Sequence, residues 1–191
     1  MTKNRLEAFS DGVIAILITI MVLELKVPHG EDMAALQPLL PRFWSYLLSF
    51  VYLGIYWNNH HHLLHACERV NGAMLWANMH LLFWLSLVPF ATGWMGENHF
   101  AAVPTALYGL ILILASVAFK LLVIVIVALH GPESRVARML GADRKGWIST
   151  ALYAVAIPLA FVNSLFAHAI YVLVALIWLV PDRRIEARFA E

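Results

Sequence analysis

Residues 5 to 24 read RLEAFSDGVIAILITIMVLE, a short polar start followed by a long apolar run. Between Val13 and Leu23 the only polar side chain is Thr19, and this composition is typical of a helix that crosses a bilayer. An acid is costly in such a helix, so Asp11 marks either a functional site or a buried polar network. The fold and the function both depend on what this helix faces.

A helical projection of this segment separates two faces. At about 100° per residue, a stripe lies within about 40° of Ile16, and its members are Arg5, Phe9, Gly12, Ile20 and Leu23. Thr19 flanks the stripe, whereas Ser10 and Asp11 lie on the opposite half. Spacing alone leaves two interpretations open: the apolar face meets lipid or a partner helix, or symmetry copies of it line a narrow pore.

The composition predicts an all-α membrane protein. The chain has 191 residues, of which 62% are hydrophobic and 13% charged, about half the charged fraction of soluble domains. A net charge of +1 gives no electrostatic argument for nucleic acid. The single cysteine, Cys67, excludes an intrachain disulfide. The sequence contains no serine elbow, no paired catalytic carboxylates and no HExxH motif, so no enzyme activity is expected.

Six apolar segments predict one six-helix transmembrane domain over residues 1–191. Each has about the length that a spanning helix needs, and they cover residues 6–27, 43–66, 72–95, 102–130, 147–165 and 167–180. Gly131-Pro132 and Pro181-Asp182 predict the ends of the fourth and sixth segments. Pro158 predicts a kink in the fifth, and Asn163-Ser164 predicts a tight turn after it.

Lysine and arginine predict the orientation of the spans. Only Lys26 and Arg42 fall in the predicted outer loops. The inner segments hold Lys3, Arg5, Arg69, Arg135, Arg138, Arg144, Lys145, Arg183, Arg184 and Arg188. This positive-inside bias predicts a multi-pass protein of the plasma membrane with both termini in the cytosol.

Polar residues on the second and third segments lie at the depth of Ser10 and Asp11. They are His60, His61, His62 and His65 on the second segment, and Asn78 and His80 on the third. Pairs of these histidines at helical spacing can bind zinc, but no third ligand is evident. We expect a hydrogen-bonded network instead, which satisfies otherwise costly buried groups. Lys120, inside the fourth segment, requires a partner or an aqueous crevice.

The run from Arg5 to Phe9-Ser10-Asp11-Gly12, followed by Ile16 and Thr19, resembles the start of bacterial members of the transmembrane protein 175 family. The segment around Trp57 and His60 and the six-span layout fit the same family. These proteins are relatives of the endosomal and lysosomal potassium channel. The resemblance covers essentially the whole chain, and no TVGYG filter occurs in this sequence.

The resemblance implies a homotetramer of six-helix subunits, embedded in membrane lipid, in which the first helix lines a pore for potassium ions. No cofactor or metal is implied. Ile16, Ile20 and Leu23 are implied to narrow the pore, and Thr19 to favour potassium. Arg5, Phe9, Ser10, Asp11 and Gly12 are implied to brace the pore helix. Two alternatives are a small secondary transporter that uses Lys120 and the histidines, and a non-conducting membrane scaffold.

Overall fold

The computed structural model describes residues 2–140 and 143–179, and this part of the chain is entirely helical apart from loops and turns. The α-helices are α1 (Lys3–Ile20), α2 (Leu40–His65), α3 (Gly72–Ser86), α4 (Val88–Glu97), α5 (Ala102–His130), α6 (Arg135–Leu140), α7 (Arg144–Val162) and α8 (Ser164–Leu179). Two 3₁₀ segments, Met21–Glu24 and Met33–Leu39, lie between α1 and α2. The predicted all-α class is therefore confirmed.

Four segments of the described chain are long and apolar enough to cross a membrane. They are Lys3–Glu24, Gly72–Glu97, Ala102–His130 and Arg144–Val162. Ser164–Leu179 is apolar but shorter, and α2 is long but more polar. Six spans per subunit therefore remain a prediction. The predicted stop at Pro181-Asp182 and the basic residues Arg183, Arg184 and Arg188 lie outside the described residues.

The predicted third segment, 72–95, corresponds to the candidate span Gly72–Glu97. Within that span the structure has a break at Leu87, between α3 and α4. Pro89 sits in the first turn of α4, where a residue without a backbone N–H is tolerated. The four N–H groups at a helix start have no intrahelical partner, so the proline costs α4 nothing there.

Other boundaries move by a few residues because of capping that the apolar pattern does not show. Helix α7 begins at Arg144 rather than 147, since the Asp143 carboxylate accepts a hydrogen bond from the Gly146 N–H at 2.8 Å. It runs through Pro158 and ends at Val162, three residues early. Helix α8 begins at residue 164, not 167, and the predicted loops contain the 3₁₀ helix 33–39 and α6.

Two ends of the bundle are defined by contacts between helices. At one end, Lys3 Nζ donates to the carbonyl of His65 (2.7 Å), and His130 Nε2 accepts from the N–H groups of Glu68 (3.1 Å) and Arg69 (3.2 Å). We call this the basic end, because it holds most of the lysines and arginines. At the opposite end, Arg42 forms an ion pair with Glu97 (3.3 Å).

The core between these ends is tied by buried hydroxyl groups. Helix α5 packs on α3 and α7, α7 packs on α8, and α2 packs on α1 and α4. The hydroxyl of Tyr52 on α2 donates to the carbonyl of Tyr171 on α8 (2.6 Å). Tyr171 in turn donates to the carbonyl of Thr105 on α5 (3.0 Å). Helix α1 contacts only one side of this bundle, chiefly α2 and α3, so its other side is left uncovered.

Candidate functional site

The uncovered side of α1 carries the apolar stripe that the helical projection singles out. The exposed fractions are 61% for Ile16, 46% for Ile20 and 74% for Leu23. Thr19, Gly12 and Arg5 are exposed as well, and Phe9 is 45% exposed. Four aliphatic or aromatic side chains on one face of a membrane helix therefore have no cover within the subunit.

The last turn of the stripe is tighter than an α-helix. Residues Met21–Glu24 form a 3₁₀ turn, in which side chains three residues apart eclipse each other. Leu23 therefore stands nearly in line with Ile20 rather than rotating away from it. The rise from Ile16 to Ile20 is about 6 Å, and that from Ile20 to Leu23 is about the same. The stripe thus presents three apolar side chains at roughly even heights along one line.

The hydroxyl of Thr19 lies beside this line with its hydrogen already used. Its Oγ1 donates to the carbonyl of Ala15 (2.9 Å), with Ile16 O also in range (3.1 Å). A hydroxyl has one hydrogen and two lone pairs. Because the hydrogen points back to the helix, the outward side of the oxygen can accept, which suits a cation better than an anion.

The opposite face of α1 is held by a directional chain of buried hydrogen bonds. His60 Nε2 on α2 lies 2.6 Å from Asn78 Oδ1 on α3. The Asn78 amide donates to Ser10 Oγ on α1 (2.9 Å), and Ser10 donates to the carbonyl of Leu6 (2.8 Å). All three side chains are fully buried. Since Asn78 Oδ1 accepts, His60 Nε2 must carry a proton and donate.

Asp11 does not join this chain of hydrogen bonds, contrary to the expected network. Its carboxylate accepts from the indole N–H of Trp57 on α2 at 3.0 Å. The Trp57 ring stacks on His61, with centroids 5.9 Å apart. His61 Nδ1 lies 3.6 Å from the Glu7 carboxylate and forms an ion pair with it only when the imidazole is protonated. A second α1–α2 connection, closer to the solvent, thus lies beside the buried one.

The remaining histidines are distributed differently from the expectation. The rings of His61 and His62 lie 5.6 Å apart, and His61 stacks on His65 at 6.1 Å. His80 is away from this cluster, because its Nε2 accepts from Trp84 one turn along α3 (2.9 Å). Within residues 2–140 and 143–179, no group of three or more His, Cys, Asp or Glu side chains is placed to hold a metal ion.

An open cavity of about 280 Å³ lies where the 3₁₀ turn meets α4, at the end opposite the basic one. Its walls are Glu24, Phe90, Gly93, Trp94 and Glu97. The Glu24 carboxylate lies against the backbone of Gly93, so closely that a methyl group there would be 3.2 Å from it. Glu24 is therefore turned toward α4, while the neighbouring Leu23 continues the apolar stripe.

Trp57 was missed by reasoning from the sequence, although a signal was present. It lies one turn before His60 and His61 on α2, and the depth argument that places those histidines beside Ser10 also places Trp57 beside Asp11. An indole N–H can only donate, so a buried or half-buried carboxylate is its natural partner. The tyrosine pairs of the core were missed for a different reason, because they join helices far apart in sequence.

Comparisons with known proteins relate this chain to one family of ion channels. A family model described as the endosomal/lysosomal potassium channel TMEM175 matches residues 5–89. A potassium channel of Chryseobacterium sp. (strain P1-3) is 54% identical over 191 residues, the full length of both chains. The human endosomal/lysosomal proton channel TMEM175 is 35% identical over 103 residues, which are 48% of this chain and 20% of the human protein.

A solved structure shares the fold as well. The crystal structure of a lysosomal potassium-selective channel TMEM175 homolog from Chamaesiphon minutus superimposes with a TM-score of 0.80 at 28% sequence identity. The match covers 93% of this chain and 96% of the other. The similarity thus extends well beyond the region that the family model matches.

The buried chain of hydrogen bonds generates a stability prediction. Asn78→Ala leaves His60 Nε2 and Ser10 without their shared partner in an apolar interior, and should lower the free energy of unfolding by about 1–3 kcal/mol. Ser86→Ala is the matched control, because Ser86 is exposed on the same helix and bonds only to the carbonyl of Phe83 (2.7 Å). Denaturant unfolding in detergent, followed by tryptophan fluorescence, measures both. Equal stability of the two variants would contradict a supporting role for Asn78.

Proposed function

This chain belongs to the TMEM175 family of ion channels, and from that premise we propose that it is a potassium-permeable, modestly potassium-selective leak-type cation channel. Four copies of α1 surround the pore in a homotetramer of six-span subunits. The uncovered apolar stripe of α1 carries this proposal. A surface of that kind, on the helix that contains Phe9-Ser10-Asp11-Gly12, needs either lipid or symmetry partners. The family is one of channels rather than enzymes.

The constriction in this channel is a stack of apolar rings. Four copies each of Ile16, Ile20 and Leu23 would face the axis, at the even spacing that the 3₁₀ turn supports. Apolar constrictions of this kind gate by excluding water. An ion passes only after losing part of its hydration shell, and potassium loses water at lower cost than sodium. The narrow rings therefore act as both gate and size filter.

Thr19 adds a polar layer between the apolar rings. Its hydroxyl oxygen, with the hydrogen bound to the α1 backbone, offers a lone pair to a partly dehydrated cation. Hydroxyls replace the hydration shell less completely than rings of carbonyl oxygens do. Selectivity for potassium over sodium is accordingly modest, and no resident cofactor is needed.

The bracing residues act by fixing the rotation of α1. Ser10, through Asn78 and His60, and Asp11, through Trp57, hold one side of the helix to α2 and α3. Arg5, Phe9 and Gly12 lie on the exposed side, where they face either neighbouring copies or the inner mouth. The protein lies in the plasma membrane, and its basic end faces the cytosol, as the positive-inside rule predicts.

Two other functions make different predictions. A secondary transporter that uses Lys120 needs that lysine at a substrate site, and its flux should saturate and follow the proton gradient. A scaffold should carry no current. The 54% identical potassium channel of Chryseobacterium sp. favours the channel over both.

Ile16→Asn tests the constriction. A polar side chain at the narrowest ring should wet it, so potassium flux into proteoliposomes should rise severalfold and selectivity over sodium should fall. Ile124→Asn is the matched control, because Ile124 on α5 is exposed to the same degree (63% against 61%) but lies away from α1. Flux that is unchanged in Ile16→Asn, or raised equally in the control, would contradict a pore lined by α1.

Thr19→Val tests the polar layer separately from the apolar rings. The substitution preserves shape and removes the oxygen, so the potassium-to-sodium permeability ratio should fall about two- to fivefold, the value of one weak hydrogen-bonding contact. Thr19→Ser keeps the oxygen and should keep the ratio. Reversal potentials under bi-ionic conditions give the measurement. An unchanged potassium-to-sodium permeability ratio in Thr19→Val would contradict a role for Thr19 in selectivity.

A further inference from the structure

Lys120 has an environment that neither the pore nor the helix core explains. Its ammonium lies over the ring of Trp147 on α7, 3.7 Å from the centroid, and donates to Thr150 Oγ1 at 3.3 Å. Thr150 Oγ1 also pairs with Ser116 (2.8 Å) and donates to the Gly146 carbonyl (2.8 Å). The hydroxyl is therefore fully used and holds the lysine in a fixed position.

The depth of Lys120 follows from the unequal lengths of α5 and α7. Helix α5 has 29 residues and is about 43 Å long, whereas a hydrocarbon core is about 30 Å thick. Lys120 lies 18 residues after Ala102, or about 27 Å along α5. It is level with the first turns of α7, which begins at Arg144. Lys120 thus lies at a membrane boundary and not at the midplane, where a transport site is expected.

Aromatic and apolar side chains around Lys120 have the arrangement of a membrane interface. Trp147 is 68% exposed, and tryptophan is enriched at the level of lipid headgroups. Arg144 is exposed three residues earlier, on the same face of α7. An exposed apolar side chain lies on the membrane side of this cluster on each helix: Val117 on α5 and Ile148 on α7.

Lys120 is not in either of the ion pairs that join α2 to α4 and α1 to α2, Arg42 with Glu97 and His61 with Glu7. The carboxylate near enough to act on its charge is that of Asp143. That carboxylate already accepts from the Gly146 N–H as the cap of α7. An ammonium has three donors, of which one is engaged by Thr150. An anion at the level of the headgroups would complete its coordination.

We propose that Lys120, Trp147 and Arg144 form a binding site for the headgroup of an anionic phospholipid in the leaflet at the basic end. The phosphate accepts from Lys120, the indole of Trp147 borders the glycerol region, and the acyl chains lie along the exposed side chains of α5 and α7. The site is on the outer surface of the subunit bundle and is independent of the pore. Its occupancy can therefore be measured without measuring conduction.

Native mass spectrometry of the full-length protein in detergent tests this site. Phosphatidylglycerol and phosphatidylcholine with the same acyl chains are added in turn, and the lipids retained per subunit are counted. Wild type should retain phosphatidylglycerol more tightly than phosphatidylcholine. Lys120→Gln should weaken phosphatidylglycerol about fivefold, the effect of one basic residue near an anionic surface, and leave phosphatidylcholine unchanged. Lys120→Arg, which keeps the charge over Trp147, should retain the preference.

Lys26→Gln is the control, because it removes the same charge from the opposite end and should leave the lipid preference intact. Inorganic phosphate should not displace the lipid, since the acyl chains contribute to binding. Three results would overturn the proposal: equal retention of the two lipids by wild type, unchanged phosphatidylglycerol binding in Lys120→Gln, or an equal loss in Lys26→Gln. Displacement of the lipid by inorganic phosphate would also contradict it. If Lys120→Gln does not fold, wild type and Lys120→Arg decide the outcome.

Discussion

The hydrogen bonds from His60 to Asn78 and from Asn78 to Ser10 are the constraint on which the rest of the structure depends. In an apolar interior each of these groups is costly without a partner, and His60 Nε2, the Asn78 amide and the Ser10 hydroxyl form one directional chain. His60 Nδ1 is buried without a hydrogen-bond partner. Because Ser10 is fixed, α1 cannot rotate about its axis without breaking the chain. The stripe of Ile16, Ile20 and Leu23 is therefore directed away from the subunit core.

Under the proposed function, this arrangement separates stability and conduction onto two faces of one helix. The inner face buries Leu6, Ile14 and Leu17 together with Ser10, and Met21 continues it in the 3₁₀ turn. The outer face holds side chains that are largely exposed in a single subunit. Under the proposed function these side chains line the pore, and their identity is set by the permeating ion and not by packing within the subunit. The 3₁₀ turn after Ile20 aligns Leu23 with Ile20.

The two faces of α1 were predictable from the sequence, because helical periodicity alone separates Ser10 from Ile16. The link among Ser10, Asn78 and His60 was also predictable from depth, since the basic end of each helix could be assigned. The resemblance to the TMEM175 family is confirmed by the comparisons. What could not be predicted were contacts between helices far apart in sequence, such as the hydrogen bond from Tyr52 to the Tyr171 carbonyl. Trp57 as the partner of Asp11 could have been predicted from depth.

The depth of Lys120 in the membrane was also not predictable from the sequence. Counted along α5 alone, it lies about 15 Å from the end of its helix and resembles a charge buried in the membrane. The shorter α7 begins almost level with it, since Lys120 lies over the Trp147 ring. The proposed lipid site accordingly puts Lys120 at the membrane boundary. The break at Leu87 has a similar origin, because a hydropathy pattern continues through Val88 and Pro89 whether or not the helix does.

Substituted-cysteine block tests most directly whether the exposed face of α1 lines a pore. The native Cys67 is a suitable background, because it is buried and burial raises the pKa of its thiol to about 11, which keeps it unreactive. Ile16→Cys should lose most of its potassium flux when a small thiol-reactive cation is added to proteoliposomes. Wild type and Ile124→Cys should keep theirs. Full flux in Ile16→Cys after labelling has been verified would contradict a pore lined by α1.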